Sequence, residues 1–128
     1  MPVVGLGVDL VGLDRIEDLL SRHEERFLER CFTPAERAYA DSSVKRRAEH
    51  LAARFAAKEA VLKALGTGWA EGIGWTDVEV IRGGAGRPGI RLTGRAAEVA
   101  QDRGITSWHL SLSHASGFAI ASAVAERG

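Results

Sequence analysis

The hydrophobic pattern predicts a long helix in the middle of the chain. Residues 51–68, LAARFAAKEAVLKALGTG, are rich in strong helix formers and contain no proline. Apolar residues recur there at helical spacing and would form one stripe: Leu51, Phe55, Leu62 and Leu65. Gly66 follows the last apolar position, as is typical of a left-handed helix end. The pattern therefore predicts a core helix of about four turns that ends at Gly66.

Three charged residues lie on or beside the apolar stripe of this helix. Glu59 and Lys63 are four residues apart, so they share one flank of the helix. Lys58 falls inside the stripe, where its ammonium group needs a partner or must reach solvent. An ordinary surface ion pair is one interpretation of Glu59 and Lys63, and a pair of functional side chains is the other. This segment alone favours the ion pair.

The N-terminal pattern predicts a buried strand over residues 3–8, VVGLGV. Gly5 and Gly7 would let a neighbouring element approach closely. Asp9 follows this strand directly, either as a turn or cap residue or as a ligand for a positive group. The spacing of the glycines does not match the dinucleotide-binding pattern G-x-G-x-x-G.

The next segment predicts a helix over about residues 14–23, with Asp14 as its cap and Glu17 completing a capping box. If that helix continued, four arginines would line one side of it: Arg15, Arg22, Arg26 and Arg30. The stripe is either part of a solvated helix of mixed charge or a docking surface for an acidic protein.

Thr33-Pro34 then predicts the start of another helix, which runs to about Ala40.

The segment between Ala40 and the long helix is polar. Residues 41–47, DSSVKRR, predict a loop, whose basic residues are either plain surface, which is favoured, or near an anionic ligand. After the long helix, residues 75–81 alternate as a strand, and residues 90–92 form its returning partner. Glycines and Pro88 make the turn between them, where Arg87 is either a solvated arginine or a phosphate contact.

The last third of the chain predicts one more helix and two strands. Thr93 caps a helix that ends at Gly104. Residues 107–113 alternate between apolar and polar positions, and His114 ends this strand as a turn residue or an anion contact. Residues 118–125 are mostly small and predict a strand that can lie flat against a helix.

Composition narrows the class of protein. A chain of 128 residues is long enough for one core and too short for two, so residues 1–128 are expected to form one domain. The 17 basic and 17 acidic residues balance, which gives no reason to expect a general attraction to nucleic acid or membranes. The single cysteine, Cys31, excludes an internal disulfide and suits the cytoplasm.

Taken together, the charged residues at the ends of predicted elements suggest a site. Asp9 and Glu59 could supply the one or two carboxylates that Mg²⁺ prefers, with water and phosphate oxygens completing its shell. Lys63 could neutralise phosphate charge, and His114 could contact the same anion. The residues therefore favour a divalent cation and a phosphorylated ligand.

The sequence also resembles one known family along nearly its whole length. The resemblance rests on five segments in order: GLGVD at residues 5–9, FLERCFTPAE at 27–36, RFAAKEAVLKALGTG at 54–68, GRP at 86–88 and HLSLSH at 109–114. These segments are similar to the motifs of the holo-acyl-carrier-protein synthases, which are small 4'-phosphopantetheinyl transferases. The most specific part is Lys58-Glu59 followed by Lys63.

The resemblance implies a 4'-phosphopantetheinyl transferase fold of the α+β class. In this fold a small antiparallel sheet packs with a long central helix, and the active sites lie at the subunit interfaces of a homotrimer. It also implies transfer of the 4'-phosphopantetheine arm of coenzyme A to a serine of apo-acyl carrier protein, for fatty acid or polyketide synthesis. Adenosine 3',5'-bisphosphate is released.

The resemblance further implies roles for individual residues. Asp9 and Glu59 would bind Mg²⁺, and Glu59 or a water beside it would activate the serine. Lys63 would stabilise the pyrophosphate and help to protonate the leaving group. The coenzyme site would be lined by residues from several segments: Arg54, Lys63, Gly66, Gly68, Gly86, Arg87, Pro88 and His114. The acidic carrier protein would contact three arginines: Arg15, Arg22 and Arg26.

Two other functions remain open from the sequence. Transferases of broader specificity share this chemistry, but they are usually twice as long. A non-catalytic module that binds a carrier protein or a nucleotide would not need Asp9, Glu59 or Lys63.

Overall fold

The protein is described by a computed structural model, which covers residues 2–82 and 86–128. These residues form four α-helices and five strands. In chain order they are β1 (Val3–Gly12), α1 (Leu13–Cys31), α2 (Pro34–Asp41), α3 (Arg47–Leu65), β2 (Val78–Arg82), β3 (Pro88–Leu92), α4 (Gly94–Asp102), β4 (Ile105–Ala115) and β5 (Phe118–Arg127).

The strands form two small antiparallel sheets. One has the order β1-β5-β4, and the other is the β2–β3 hairpin. Strands β4 and β5 are joined by a two-residue turn in which Ser116 and Gly117 both have positive φ, 54° and 80°. Such a turn matches the twist of the strands that it joins.

Helix α3 covers one face of the three-stranded sheet. Every second residue of β5 is an alanine that is at most 1% exposed beneath this helix: Ala119, Ala121, Ala123 and Ala125. A Cβ atom added to Gly7 would lie 1.9 Å from the carbonyl oxygen of Ala60, and one added to Gly5 would lie 2.1 Å from that of Ala64. The prediction that these glycines allow a close approach is confirmed. The prediction of an α+β fold with a long central helix is also confirmed.

The long helix begins earlier than predicted and ends where expected. It starts at Arg47, and Gly66 closes it in the left-handed conformation with φ 81°. The predicted start of α2 at Thr33-Pro34 is confirmed, and a capping box holds it, because the Thr33 side chain accepts from the Glu36 amide while Glu36 accepts from the Thr33 amide.

Several predictions near the N-terminus are wrong in detail. Strand β1 continues to Gly12, so Asp9 lies inside the strand rather than after it. The first helix begins after Gly12 without a side-chain cap, and Asp14 accepts instead from the Arg15 amide at 2.9 Å. This helix runs on to Cys31, with a break at His23, whose φ of −143° is not helical.

The boundaries in the second half also differ from the prediction. Residues 75–77 form a short 3₁₀ turn, and the strand begins only at Val78. Pro88 belongs to β3 rather than to the turn, while the predicted turn residues Gly83 and Gly84 lie outside the described residues. His114 is part of β4, one residue before its end. None of the helices in the described ranges is long and apolar enough to cross a membrane.

Candidate functional site

Asp9 and Lys63 meet where β1 crosses α3. The Lys63 Nζ atom donates to the Val8 carbonyl at 2.9 Å and to Asp9 Oδ1 at 3.1 Å. The Asp9 side chain is 18% exposed and that of Lys63 is 52% exposed, so the pair opens to solvent. The close crossing at Gly7 determines this geometry, because Asp9 is only two residues further along the same strand.

Glu59 lies one turn before Lys63 on the same flank of α3 and is half-buried. Its Oε1 atom accepts from the indole Nε1 of Trp69 at 3.3 Å. The structure thus joins Asp9 and Lys63 directly and places Glu59 one helical turn before Lys63 on α3. The participation of Trp69 was not predicted.

The donor set near Lys63 fits Mg²⁺ better than a transition metal. Among residues 2–82 and 86–128 there is no group of three or more His, Cys, Asp or Glu side chains placed to hold a metal ion. Two carboxylates leave most positions of the metal to water and phosphate oxygens, which is how Mg²⁺ is usually bound. Asp9 and Glu59 are the residues that could hold it.

A second part of the site is a cavity of about 330 Å³ between α3, the β2–β3 hairpin and the end of β4. Four residues of the predicted coenzyme site line it: Arg54, Gly86, Pro88 and His114. Arg87 lies between two of them in the chain but does not line the cavity and is exposed. The cavity also contains basic and aromatic residues that were not predicted: Tyr39, Arg46, His50 and Arg82.

Arg54 is the buried cation of this cavity. It is only 6% exposed, and its guanidinium carbon lies 4.1 Å from the centre of the Tyr39 ring. Burial lowers its pKa, and the nearby Tyr39 and Glu36 oppose that shift. Its Nε atom is buried and has no hydrogen-bond partner among the described residues. A buried donor without a partner is costly, so an anion in the cavity would stabilise the arrangement.

Other basic side chains surround Arg54. His114 Nδ1 lies 2.9 Å from Glu49 Oε2, which fixes the orientation of the imidazole ring. Burial lowers the pKa of His50, and the positive charge of Arg54 lowers it further. Arg82 bonds to the Tyr39 hydroxyl and donates to the Gly86 carbonyl at 3.0 Å. The cavity is therefore suited to a phosphate group.

Sequence signals existed for two of the residues that were missed. His50 precedes Arg54 by one helical turn and so shares its face, which the helical period could have indicated. Arg46 was included in a basic run and interpreted as plain surface, but it lines the cavity. Arg82 reaches the cavity only because the β2–β3 hairpin folds against α2, which the sequence does not reveal.

The remaining predicted coenzyme residues lie elsewhere on the chain. Lys63 and Gly66 line a separate cavity of about 680 Å³ at the C-terminal end of α3, together with Arg103 and Arg127. Gly68 adopts a positive φ of 58° beyond that end and does not line it. Twelve residues separate Arg54 from Gly66, which corresponds to about 18 Å along a helix. One chain therefore does not bring the predicted coenzyme residues into a single cavity.

The predicted basic stripe on α1 is interrupted. Arg15 and Arg22 are exposed on the first part of α1, where Arg15 lies over the Phe55 ring at 5.2 Å and Arg22 pairs with Asp18 at 2.8 Å. Arg26 lies beyond the break at His23, where it lines a cavity of about 450 Å³ with apolar neighbours. The break at His23 therefore divides the predicted stripe into two parts.

Lys58 is not part of this site. Its side chain is fully buried and forms an ion pair with Glu36 at 2.8 Å, and its ammonium also donates to the carbonyls of Trp75 and Val78. Burial lowers its pKa, and the opposing effect of Glu36 does not fully offset this. The residue that the sequence left unexplained is therefore an internal link between α2, α3 and β2.

Comparisons with known proteins identify the family of the chain. A family model described as the 4'-phosphopantetheinyl transferase superfamily matches residues 5–123. The chain is 52% identical over 126 residues to the holo-acyl-carrier-protein synthase of Frankia alni. This alignment covers 98% of this chain and 99% of that one.

Solved structures resemble the whole chain. The holo-acyl-carrier-protein synthase of Neisseria meningitidis matches with a TM-score of 0.89 and 31% identity, over 98% of this chain and 100% of that one. The Helicobacter pylori synthase, solved in complex with coenzyme A, matches with a TM-score of 0.82 and 33% identity. The match covers 94% of this chain and 99% of that one. The chain therefore belongs to the 4'-phosphopantetheinyl transferase superfamily and, within it, to the holo-acyl-carrier-protein synthases.

Proposed function

We propose that residues 1–128 form one catalytic domain, which transfers the 4'-phosphopantetheine group of coenzyme A to a serine of apo-acyl carrier protein. The observation that carries the proposal is the hydrogen bond from Lys63 to Asp9 where β1 crosses α3, with Glu59 one helical turn earlier on the same helix. The similarity to holo-acyl-carrier-protein synthases over almost the full chain supports the same reaction. Fatty acid synthesis in the cytoplasm is the pathway that we assign, with polyketide synthesis as the alternative.

In the reaction, a bond forms between the serine oxygen and the β-phosphorus of the coenzyme pyrophosphate. The bond from that phosphorus to the bridging oxygen breaks, and adenosine 3',5'-bisphosphate leaves. Mg²⁺ bound by Asp9 and Glu59 would neutralise phosphate charge. Glu59, directly or through a water, takes the proton of the serine hydroxyl.

Lys63 contributes positive charge to the same step. Its ammonium group has three donors, and the described contacts to the Val8 carbonyl and Asp9 use two of them. The third donor is available for a pyrophosphate oxygen, where it stabilises the charge that develops on the leaving group and helps to protonate it.

The cavity around Arg54 binds a phosphate of the nucleotide part of coenzyme A. The Nε atom of Arg54, which has no partner within residues 2–82 and 86–128, supports this assignment together with His114 and Arg46. Gly86 and Pro88 shape one wall, and the adjacent Arg87 adds a solvent-exposed charge. Gly66 and Lys63 bind the pyrophosphate of coenzyme A at the C-terminal end of α3, where Gly68 reverses the chain.

We place the carrier protein on the basic surface of α1. Arg15 and Arg22 on one side of the break and Arg26 on the other are all exposed. They would meet the acidic residues of the carrier, chiefly by accelerating association and fixing orientation.

We further propose that the enzyme is a homotrimer with active sites between subunits. The sheet face opposite α3 carries five exposed apolar side chains: Leu6, Val8, Leu10, Phe118 and Ile120. Leu6, for example, is 68% exposed. A contiguous patch of such exposed apolar side chains is unusual on a soluble monomer. A closed ring of three copies would cover this face and could bring the Arg54 cavity of one copy to the Lys63 side of the next.

The test is to incubate the purified protein with apo-acyl carrier protein, coenzyme A and MgCl₂ and to measure the mass of the carrier. We expect the carrier to gain one phosphopantetheine group, and the gain to stop when EDTA removes the metal. Glu59→Gln should abolish it, whereas Glu98→Gln on the exposed side of α4 should not. Binding of coenzyme A without any gain in carrier mass would instead favour the non-catalytic module.

A further inference from the structure

The segment after α3 returns to the helix that it has just left. Gly66 and Gly68 both have positive φ, 81° and 58°, and they reverse the chain. This reversal brings Trp69 back to Glu59, and the indole Nε1 donates to Glu59 Oε1 at 3.3 Å. Trp69 is half-buried, so this bond is partly shielded from water.

The Trp69 ring is held by aromatic contacts that lead to the core. Its centroid lies 3.8 Å from that of Trp75, and the Trp75 ring stacks on Phe55 at 4.8 Å. The Trp75 carbonyl in turn accepts from the buried Lys58 Nζ at 3.1 Å. Phe55, Lys58 and Glu59 all belong to α3, so the returning segment is attached to this helix at three places.

The same segment is also attached to α4. The Glu71 carboxylate lies 3.7 Å from Arg95 and 3.8 Å from Arg103, and Arg95 donates to the Glu71 carbonyl at 3.0 Å. Glu71 keeps a φ of 61°, which is uncommon for a residue other than glycine. These contacts limit the positions that Trp69 can adopt.

We infer that Trp69 is a positioning residue for Glu59. Its indole N–H fixes one carboxylate oxygen and selects one orientation of a flexible side chain, which leaves the other oxygen to the metal ion and the incoming serine. Donors to a metal-binding carboxylate commonly act in this way. The inference deepens the proposed function and rests on it, because it takes Glu59 as the metal and proton-accepting residue.

The first arm of the test needs no metal and no activity. The protein has three tryptophans, so its ¹H–¹⁵N spectrum contains three indole signals, and Trp69→Phe and Trp108→Phe identify two of them by their loss. In Glu59→Ala, which removes the acceptor, the Trp69 signal should shift and exchange faster with water, whereas the Trp108 signal should not change. An unmoved Trp69 signal would overturn the inference.

The second arm measures the consequence. Trp69→Phe keeps a ring against Trp75 but removes the N–H donor. We expect it to weaken Mn²⁺ binding, measured by calorimetry, about tenfold, as removal of outer partners of metal ligands does. The kcat should fall while the KM for coenzyme A stays within about twofold. Trp108→Phe is the matched control and should leave all three values unchanged.

The outcomes separate the inference from the proposed function. Wild-type values of Mn²⁺ affinity and kcat in Trp69→Phe would overturn the positioning role even if the enzyme is active. Absence of transfer by the wild-type protein would instead overturn the proposed function, and the indole arm would still decide the positioning role. The Trp69 signal can also be assigned in the wild-type protein from nuclear Overhauser contacts between the Trp69 and Trp75 rings, so this arm decides the question even where Trp69→Phe folds poorly.

Discussion

Lys58 illustrates how one buried charge can be stable in an apolar helix face. Its ammonium is surrounded by the Glu36 carboxylate and two backbone carbonyls, and Glu36 also accepts from the amides of Thr33 and Val80 at 2.9 and 2.8 Å. Every charge in this cluster is therefore compensated. Removal of one partner would leave the other charge buried and unpaired.

We predict that Lys58→Met lowers the free energy of unfolding by about 3–5 kcal/mol, the usual cost of breaking a buried ion pair from one side. The double variant Lys58→Met/Glu36→Gln should lose less stability than the sum of the losses of the two single variants, since neither unpaired charge then remains buried. Urea unfolding of the single and double variants measures this. Arg22→Met breaks an exposed pair and should change stability by less than about 1 kcal/mol. Additive losses at Lys58 and Glu36 would contradict the coupling.

The sequence identified the position of Lys58 but not its partners. Helical spacing places it in the apolar stripe, since that depends only on local period. Glu36 lies 22 residues earlier, and the accepting carbonyls belong to a segment after the helix. These contacts depend on packing between elements. The bond from Trp69 to Glu59 was missed for the same reason.

At the scale of elements, the crossing of β1 and α3 determines the position of Asp9. Gly7 and Gly5 place the strand directly on the backbone of the helix, and a side chain at either position would overlap a carbonyl oxygen. Because that oxygen is part of the helix backbone, it cannot move aside cheaply.

We predict that Gly7→Ala lowers the free energy of unfolding by about 3 kcal/mol, at the upper end of the usual cost of overpacking. It should also reduce transfer activity, because the displaced strand carries Asp9 away from Lys63. Gly74→Ala is the matched control, since an added Cβ there meets nothing within 4 Å and the φ is −99°. Thermal unfolding and the mass assay measure both effects. Equal stability of the two variants would show that the crossing is not tight.

Elements with strong local signals were predicted well. Helix α3, the start of α2 at Thr33-Pro34 and the alternation of β4 were all recognised from residue type and spacing. The continuation of α1 past His23 was not recognised. The helix resumes after this non-helical residue, but the helical register is not kept across the break, so one helical period does not describe both parts. The extension of β1 through Asp9 was also missed, since pairing with β5 overrides the polar residue.

At the scale of the whole molecule, the candidate site is divided. His114 lines the cavity around Arg54, whereas Lys63 lines the cavity at the far end of α3 and lies one turn after Glu59. The family resemblance named these residues and implied sites between subunits, but the sequence alone could not show which of them a single chain separates. The proposed trimer joins the two parts, and the exposed apolar face of β1 and β5 is the surface that it would cover.

A mixing experiment tests whether each active site takes residues from two chains. We predict that Glu59→Gln and His114→Ala each abolish most activity, because one removes the proposed metal ligand and the other a phosphate contact. If one copy supplies Glu59 and the next supplies His114, about a quarter of the sites in randomly mixed 1:1 trimers contain both native residues. Unfolding and refolding the two variants together should therefore restore about a quarter of wild-type activity.

Two controls make this outcome specific. Each variant refolded alone should regain nothing, and Leu10→Arg, which places a charge in the exposed apolar face, should sediment as a monomer near 13.7 kDa. Adding Leu10→Arg to both variants should then remove the recovery, because no mixed trimers form. If Glu59 and His114 of the same chain formed one site, every site in the mixture would carry one defect. Activity would then stay at the level of the single variants, and the shared site would be wrong.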